Sequence, residues 1–122
     1  MKIVFKIKNI SLQAELYNTK TAKAVYDVLP FEADIEEWGD EFYFETPVQM
    51  PLDETATSRV KIGDIGYWPP GNAIAIFFGP TPISKGNDPV PASDVNLIGK
   101  IIGDATILRE LKGARKIRID KA

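Results

Sequence analysis

The segment GDIGYWPPGNAIAIFFGPTP, Gly63–Pro82, constrains the fold of this 122-residue chain more than any other. Two apolar, aromatic-rich runs flank Pro69-Pro70-Gly71-Asn72, a cluster of strong turn formers. Ile65 and Tyr67 lead in, Trp68 stands at the bend, and Ile74, Ile76, Phe77 and Phe78 lead out. The pattern predicts a hairpin in a β-rich domain. It also gathers aromatic surface beside a Pro/Gly-rich loop, where a ligand can bind.

Alternation recurs along the rest of the chain. Met1–Lys8 sets Ile3, Phe5 and Ile7 against Lys2, Lys6 and Lys8, and Ile10–Tyr17 alternates again, which predicts a first hairpin around Asn9. Asn18 or Thr19 can cap a helix from about Lys20 to Leu29, with Ala22, Val25, Tyr26 and Leu29 on one face and Pro30 as its stop. Strands are expected at Phe31–Glu37, Glu41–Thr46, Asn96–Ile102 and Arg115–Asp120, with a short strand within Thr55–Lys61. Asp104 caps a short helix, Ala105–Lys112, expected to point Ile107, Leu108 and Leu111 inward. Gly79–Asp94, with four prolines, reads as a long loop of the kind that often carries function. The length suits one domain, 1–122. Two helices and about eight strands predict a closed β-barrel, mainly β, in which closure removes free sheet edges and the helices plug the ends.

Two absences narrow the chemistry. Without cysteine there are no disulfides, thiolate nucleophiles or Cys-based metal sites. Without histidine there is no imidazole base for a serine or cysteine nucleophile and no His-containing zinc site. Proton transfer would fall to Asp, Glu, Lys or Tyr. A net charge of −2 offers no electrostatic footprint for nucleic acid or an anionic membrane. No apolar run approaches the roughly 20 residues that cross a bilayer. The opening MKIVFKIKNISL alternates where a signal peptide would be continuously apolar, so a cytoplasmic location is expected.

The C-terminal third, LIGKIIGDATILRELKGARKIRIDKA, resembles the end of the cyclophilins in Gly99-Lys100-Ile101, the capped helix after Asp104 and Lys116-Ile117-Arg118-Ile119. Phe77-Phe78 resembles the paired phenylalanines of the cyclophilin substrate groove. The Phe-His-Arg motif that carries the cyclophilin catalytic arginine is missing, as is the Gln-Gly-Gly-Asp run; the corresponding region, FEADIEEWGDEFYFETPVQM, contains no arginine. Over nearly the whole length, Trp38-Gly39-Asp40-Glu41, Phe42–Pro47 and the central hairpin are similar to the compact cyclophilin-like family of archaea and thermophilic bacteria, a domain of unknown function. The resemblance implies a cyclophilin-type barrel with a cleft in the usual place, and it supplies no catalytic residue.

Five residues are the candidate ligand contacts. Tyr67, Trp68 and Phe78 can line a groove for an apolar or proline-containing segment, with Phe78 chosen over Phe77 by alignment with the cyclophilin groove. Ile74 and Ile76 are read as core. Glu45, at a strand end among aromatics and on the same face as Tyr43, completes a polar pair that can anchor a ligand. The acidic residues Glu32, Asp34 and Glu36 repeat about 7 Å apart along one strand face, too widely for joint cation coordination, and read with Glu37, Asp40 and Glu41 as a solvated charge run. Arg59 reads as an exposed strand arginine, and Gly63-Asp64-Ile65-Gly66 as turn and bulge glycines, with no phosphate-loop lysine following. The function expected is a binding module for a peptide segment or small molecule, with no cofactor, no metal and no nucleic-acid or membrane partner. A weak or specialised peptidyl-prolyl isomerase is the alternative, since that reaction needs a desolvated pocket and hydrogen-bond donors but no nucleophile; assembly through an exposed apolar face is a third reading.

Overall fold

A computed structural model describes residues 1–122. Ten strands form one sheet: β1 Lys2–Ile7, β2 Ile10–Leu16, β3 Phe31–Asp34, β4 Glu36–Glu37, β5 Glu41–Glu45, β6 Ala56–Thr57, β7 Asp64–Trp68, β8 Ala73–Phe77, β9 Val95–Ile101 and β10 Lys116–Lys121. Neighbours run β3-β10-β1-β2-β9-β7-β8-β5-β4, with β6 added to β9, and every pairing is antiparallel. The two ends of this path, β3 and β4, are consecutive in the chain and separated only by Ile35, so the sheet curls into a nearly closed barrel. The expected single strand Phe31–Glu37 is therefore two. It pairs with β10 up to Asp34 and with β5 from Glu36, and the Ile35 N–H donates to Arg115 O at the changeover.

The predicted hairpin forms as expected. Ile65–Trp68 pair with Ala73–Ile76 across a 3-10 turn, Pro69–Gly71, and Asn72 closes the turn with φ of 49°. Asparagine tolerates this left-handed conformation better than most residues. Helix α1, Lys20–Asp27, starts at Thr19, whose Oγ1 accepts from the Ala22 N–H at 3.2 Å. It lays Ala22 and Val25 on the barrel core, with Tyr26 partly buried.

The short strand expected within Thr55–Lys61 is β6, which pairs Ala56 with Asn96 and Thr57 with Val95 of β9. One expected element differs. The helix after Asp104 is a 3-10 helix, Ala105–Leu111. Its three-residue period turns Ala105, Leu108 and Leu111 inward and leaves Ile107 exposed, where an α-helical period had placed Ile107 inward.

Strand parity sorts the side chains into two sets. The barrel interior is filled by Ile3, Phe5, Leu16, Phe42, Phe44, Ile65, Tyr67, Ile74, Ile76, Ile98, Ile117 and Ile119, among others. A second, smaller apolar group lies on the opposite face of the β5-β8-β7-β9 quarter. There Val60, Ala75, Phe77 and Val95 are buried, and Tyr43 and Trp68 pack against them. No helix is long and apolar enough to cross a membrane.

Candidate functional site

The second apolar group forms the side of a pocket of about 190 Å³ lined by Trp38, Glu41, Tyr43, Trp68, Pro91, Ala92 and Val95. Alternation along β5 explains half of it. Phe42 and Phe44 point into the barrel, so Glu41 and Tyr43 must point out. Trp68 ends β7 on the same outer face, opposite Ala73 in the ladder. Its ring meets the Tyr43 ring edge-on, with centroids 6.3 Å apart and planes at 71°. Its Nε1 donates to Ser93 Oγ at 2.7 Å, which ties the tryptophan to the loop that brings Pro91 and Ala92.

Glycines let these parts approach. A Cβ atom at Gly66 would stand 2.7 Å from Val95 Cγ2, so only a hydrogen at that position lets Val95 lie flat on β7. Gly39, at φ of 61°, packs its bare Cα side against the backbone of Pro80 and Thr81. The Asp40 N–H donates to Pro80 O at 2.9 Å, and Thr81 Oγ1 donates to Val90 O at 2.5 Å. The first bond fastens the turn after Trp38 to the start of the long loop, and the second braces that loop just before Pro91.

Glu41 is the unusual member. It is 8% exposed, and its Oε1 is buried with no hydrogen-bond partner. Burial pushes its carboxyl up to about 7, and no cation offsets the effect. Its sequence neighbour Asp40 is the carboxylate that takes the cations: Arg109 and Lys112 both pair with it, at 3.0 and 2.5 Å.

The five residues singled out from sequence divide. Tyr43 and Trp68 meet in this pocket. Tyr67 is fully buried on the inner face, where its hydroxyl donates to Val48 O at 2.6 Å and accepts from the Met50 N–H at 3.2 Å. It pins the strand-exit loop to β7, and burial pushes its phenol up. Phe78 is also fully buried, its ring edge-on to Phe42 with centroids 4.8 Å apart. Phe77 takes the outer face beside Tyr43 and Trp68. Glu45 is exposed and borders a separate, polar hollow with Glu32, Ala33, Asp34 and Glu36; no group of three or more acidic side chains is placed to hold a metal ion. Arg59 is exposed and lies away from both.

Sequence reasoning passed over Glu41 and Trp38. Glu41 was absorbed into an acidic run, although the alternation Glu41-Phe42-Tyr43-Phe44 already put it on the face of Tyr43. Trp38 enters the sequence reading only through the motif Trp38-Gly39-Asp40-Glu41. Pro91 and Ala92 come from the long loop flagged for its length, but nothing local shows where such a loop folds back.

Comparison with known proteins agrees with this architecture. The chain is similar to the hypothetical protein AF2241 from Archaeoglobus fulgidus, with a TM-score of 0.83 and 35% identity over 100% of this chain and 95% of that one. It shares its fold with McbB, solved in complex with tryptophan, at a TM-score of 0.74 and 14% identity; the match covers 98% of this chain but 44% of McbB. A search of curated proteins finds no match. The model of the Cyclophilin-like family matches residues 1–120. This chain belongs to the Cyclophilin-like family.

Proposed function

We propose that this protein is a binding module whose pocket between Trp38, Tyr43 and Trp68 receives one compact apolar group, from a small molecule or from a peptide side chain. The observation that carries the reading is the pairing of an aromatic-walled pocket with a buried, unpartnered carboxyl on its wall. Binding sites are typically mostly apolar with a few placed polar groups. A volume of about 190 Å³ suits one ring-sized body, since a dry cavity of about 150 Å³ is enough for benzene. The lining contains no serine, threonine, lysine or arginine, so no aliphatic hydroxyl and no cationic donor stands there.

The test is an NMR titration that follows the indole N–H signals of Trp38 and Trp68, with benzyl alcohol as a neutral ring-sized probe and an Ala-Pro peptide as a proline-containing one. Saturable shifts at the two indoles and at Val95 are expected from at least one probe. No shift from either, at millimolar concentration, refutes the reading for these ligand classes. Exchange spectroscopy on the same peptide separates binding from isomerisation: faster cis–trans exchange would make the module a peptidyl-prolyl isomerase, and shifts without acceleration would leave it a binder.

A further inference from the structure

We infer that the pocket selects an organic ammonium ion, a protonated amine on a compact apolar body, with the Glu41 carboxylate as its anchor and the Trp38, Tyr43 and Trp68 rings as its walls. The inference rests on the binding reading above and names the ligand class. Three independent features converge on it.

The first is the unmet demand of Glu41. Its Oε1 has no donor from backbone, side chain or terminus, and the lining residues bring no basic group. A buried carboxylate without a partner is costly, and it is satisfied by a cation that also donates hydrogen bonds. Arg109 and Lys112 pair with Asp40, the residue before Glu41 in sequence, and no ion pair involves Glu41 itself.

The second is the character of the walls. Aromatic faces carry negative potential and attract cations, most strongly where water is excluded. Three of the seven lining residues are aromatic, and Tyr43 and Trp68 already stand edge-to-face at 71°, giving two differently directed surfaces. An anionic ligand would meet both these faces and the carboxylate unfavourably.

The third is the composition of the remaining lining. Pro91, Ala92 and Val95 offer no side-chain donor or acceptor. They suit a hydrocarbon body and leave recognition of the polar end to Glu41. Tyr43 is the only other titratable side chain in the lining.

The experiment compares benzylammonium, benzyl alcohol and phenylacetate, which share a ring and differ in charge, by NMR titration of the intact chain at about pH 8, where Glu41 is mostly ionised. Benzylammonium is expected to bind at least about tenfold more tightly than benzyl alcohol, with phenylacetate weakest, because a desolvated charge pair outweighs a neutral hydrogen bond. The Glu41→Gln variant is expected to erase the difference between amine and alcohol. Equal binding of amine and alcohol by the wild type would overturn the ammonium inference and leave the binding reading standing. An amine preference that persists in Glu41→Gln would overturn Glu41 as the anchor. Absence of binding by all three probes would overturn both readings. The wild-type comparison is decisive even if the variant folds poorly.

Discussion

Replacing Glu41 by glutamine makes the energetic position of this carboxyl measurable without any ligand. Burial raises it from 4.5 to about 7. Between those two values the folded protein holds a proton that the unfolded chain has released, so wild-type stability falls as pH climbs through this window and levels off above it. Each tenfold change in proton affinity corresponds to about 1.4 kcal/mol, so the full loss is about 3 kcal/mol. Glutamine does not titrate. It leaves a buried amide with its own pH-independent cost of about 1–3 kcal/mol, which offsets the baseline but not the slope. The stability of Glu41→Gln relative to wild type should therefore rise by about 3 kcal/mol between about pH 4 and pH 9. Urea unfolding at a series of pH values measures it, and subtracting the two curves cancels every other titrating group. The chain has no histidine or cysteine to confuse the neutral range. Two parallel profiles, with a difference flat to about 0.5 kcal/mol, would refute the claim that Glu41 is an unpaired buried acid.

Three further substitutions probe the scaffold of the pocket. Gly66→Val places a side chain where Val95 already lies; it should cost about 1–3 kcal/mol and push Val95 into the pocket, read as reduced urea stability and loss of probe shifts at Trp68. Asn96→Ala should cost about 2–3 kcal/mol in the same assay, because the fully buried amide accepts from the Asp53 N–H and donates to Pro51 O and Thr21 Oγ1, and the Asp53 N–H and Pro51 O would lose the partner it gives them. Phe78→Ala should destabilise the protein by about 3–5 kcal/mol through a barrel cavity, while the wild-type ranking of the three probes is retained under folding conditions. A change in that ranking would return Phe78 to the binding surface.

The residues that sequence reading located correctly owe this to period. Ile3, Phe5 and Ile7, or Phe42 and Phe44, alternate with polar neighbours so regularly that a strand with one buried face is the only economical reading, and turn formers such as Pro69-Pro70-Gly71-Asn72 mark where each strand reverses. Capping chemistry is equally local: Thr19 and Asp104 each accept from an N–H two or three residues ahead, as their positions before apolar runs suggest. The length of a strand is less local. Phe31–Glu37 alternates without a break, yet it divides at Ile35 because two different neighbours compete for its ends.

The candidate site falls mostly on the other side of that boundary. Sequence alone determines that Glu41 and Tyr43 share a face of β5, that Trp68 stands at a hairpin bend and that no thiol or imidazole is available. It does not determine which face of a barrel strand is interior when both faces carry aromatics, as Tyr67 against Trp68 and Phe77 against Phe78 illustrate. Closure decides it: once β3 and β4 meet around Ile35, one parity is sealed inside and the other is left outside. On that outer face Gly66, Ala73 and Ala75 are too small to fill the space between Tyr43, Trp68 and Val95, and the loop from Gly79 folds back to roof it. Glu41 belongs to an ordinary acidic run in sequence and becomes a buried, unpaired carboxyl on the wall of a pocket that residues some fifty positions away, Pro91 and Ala92, help to line.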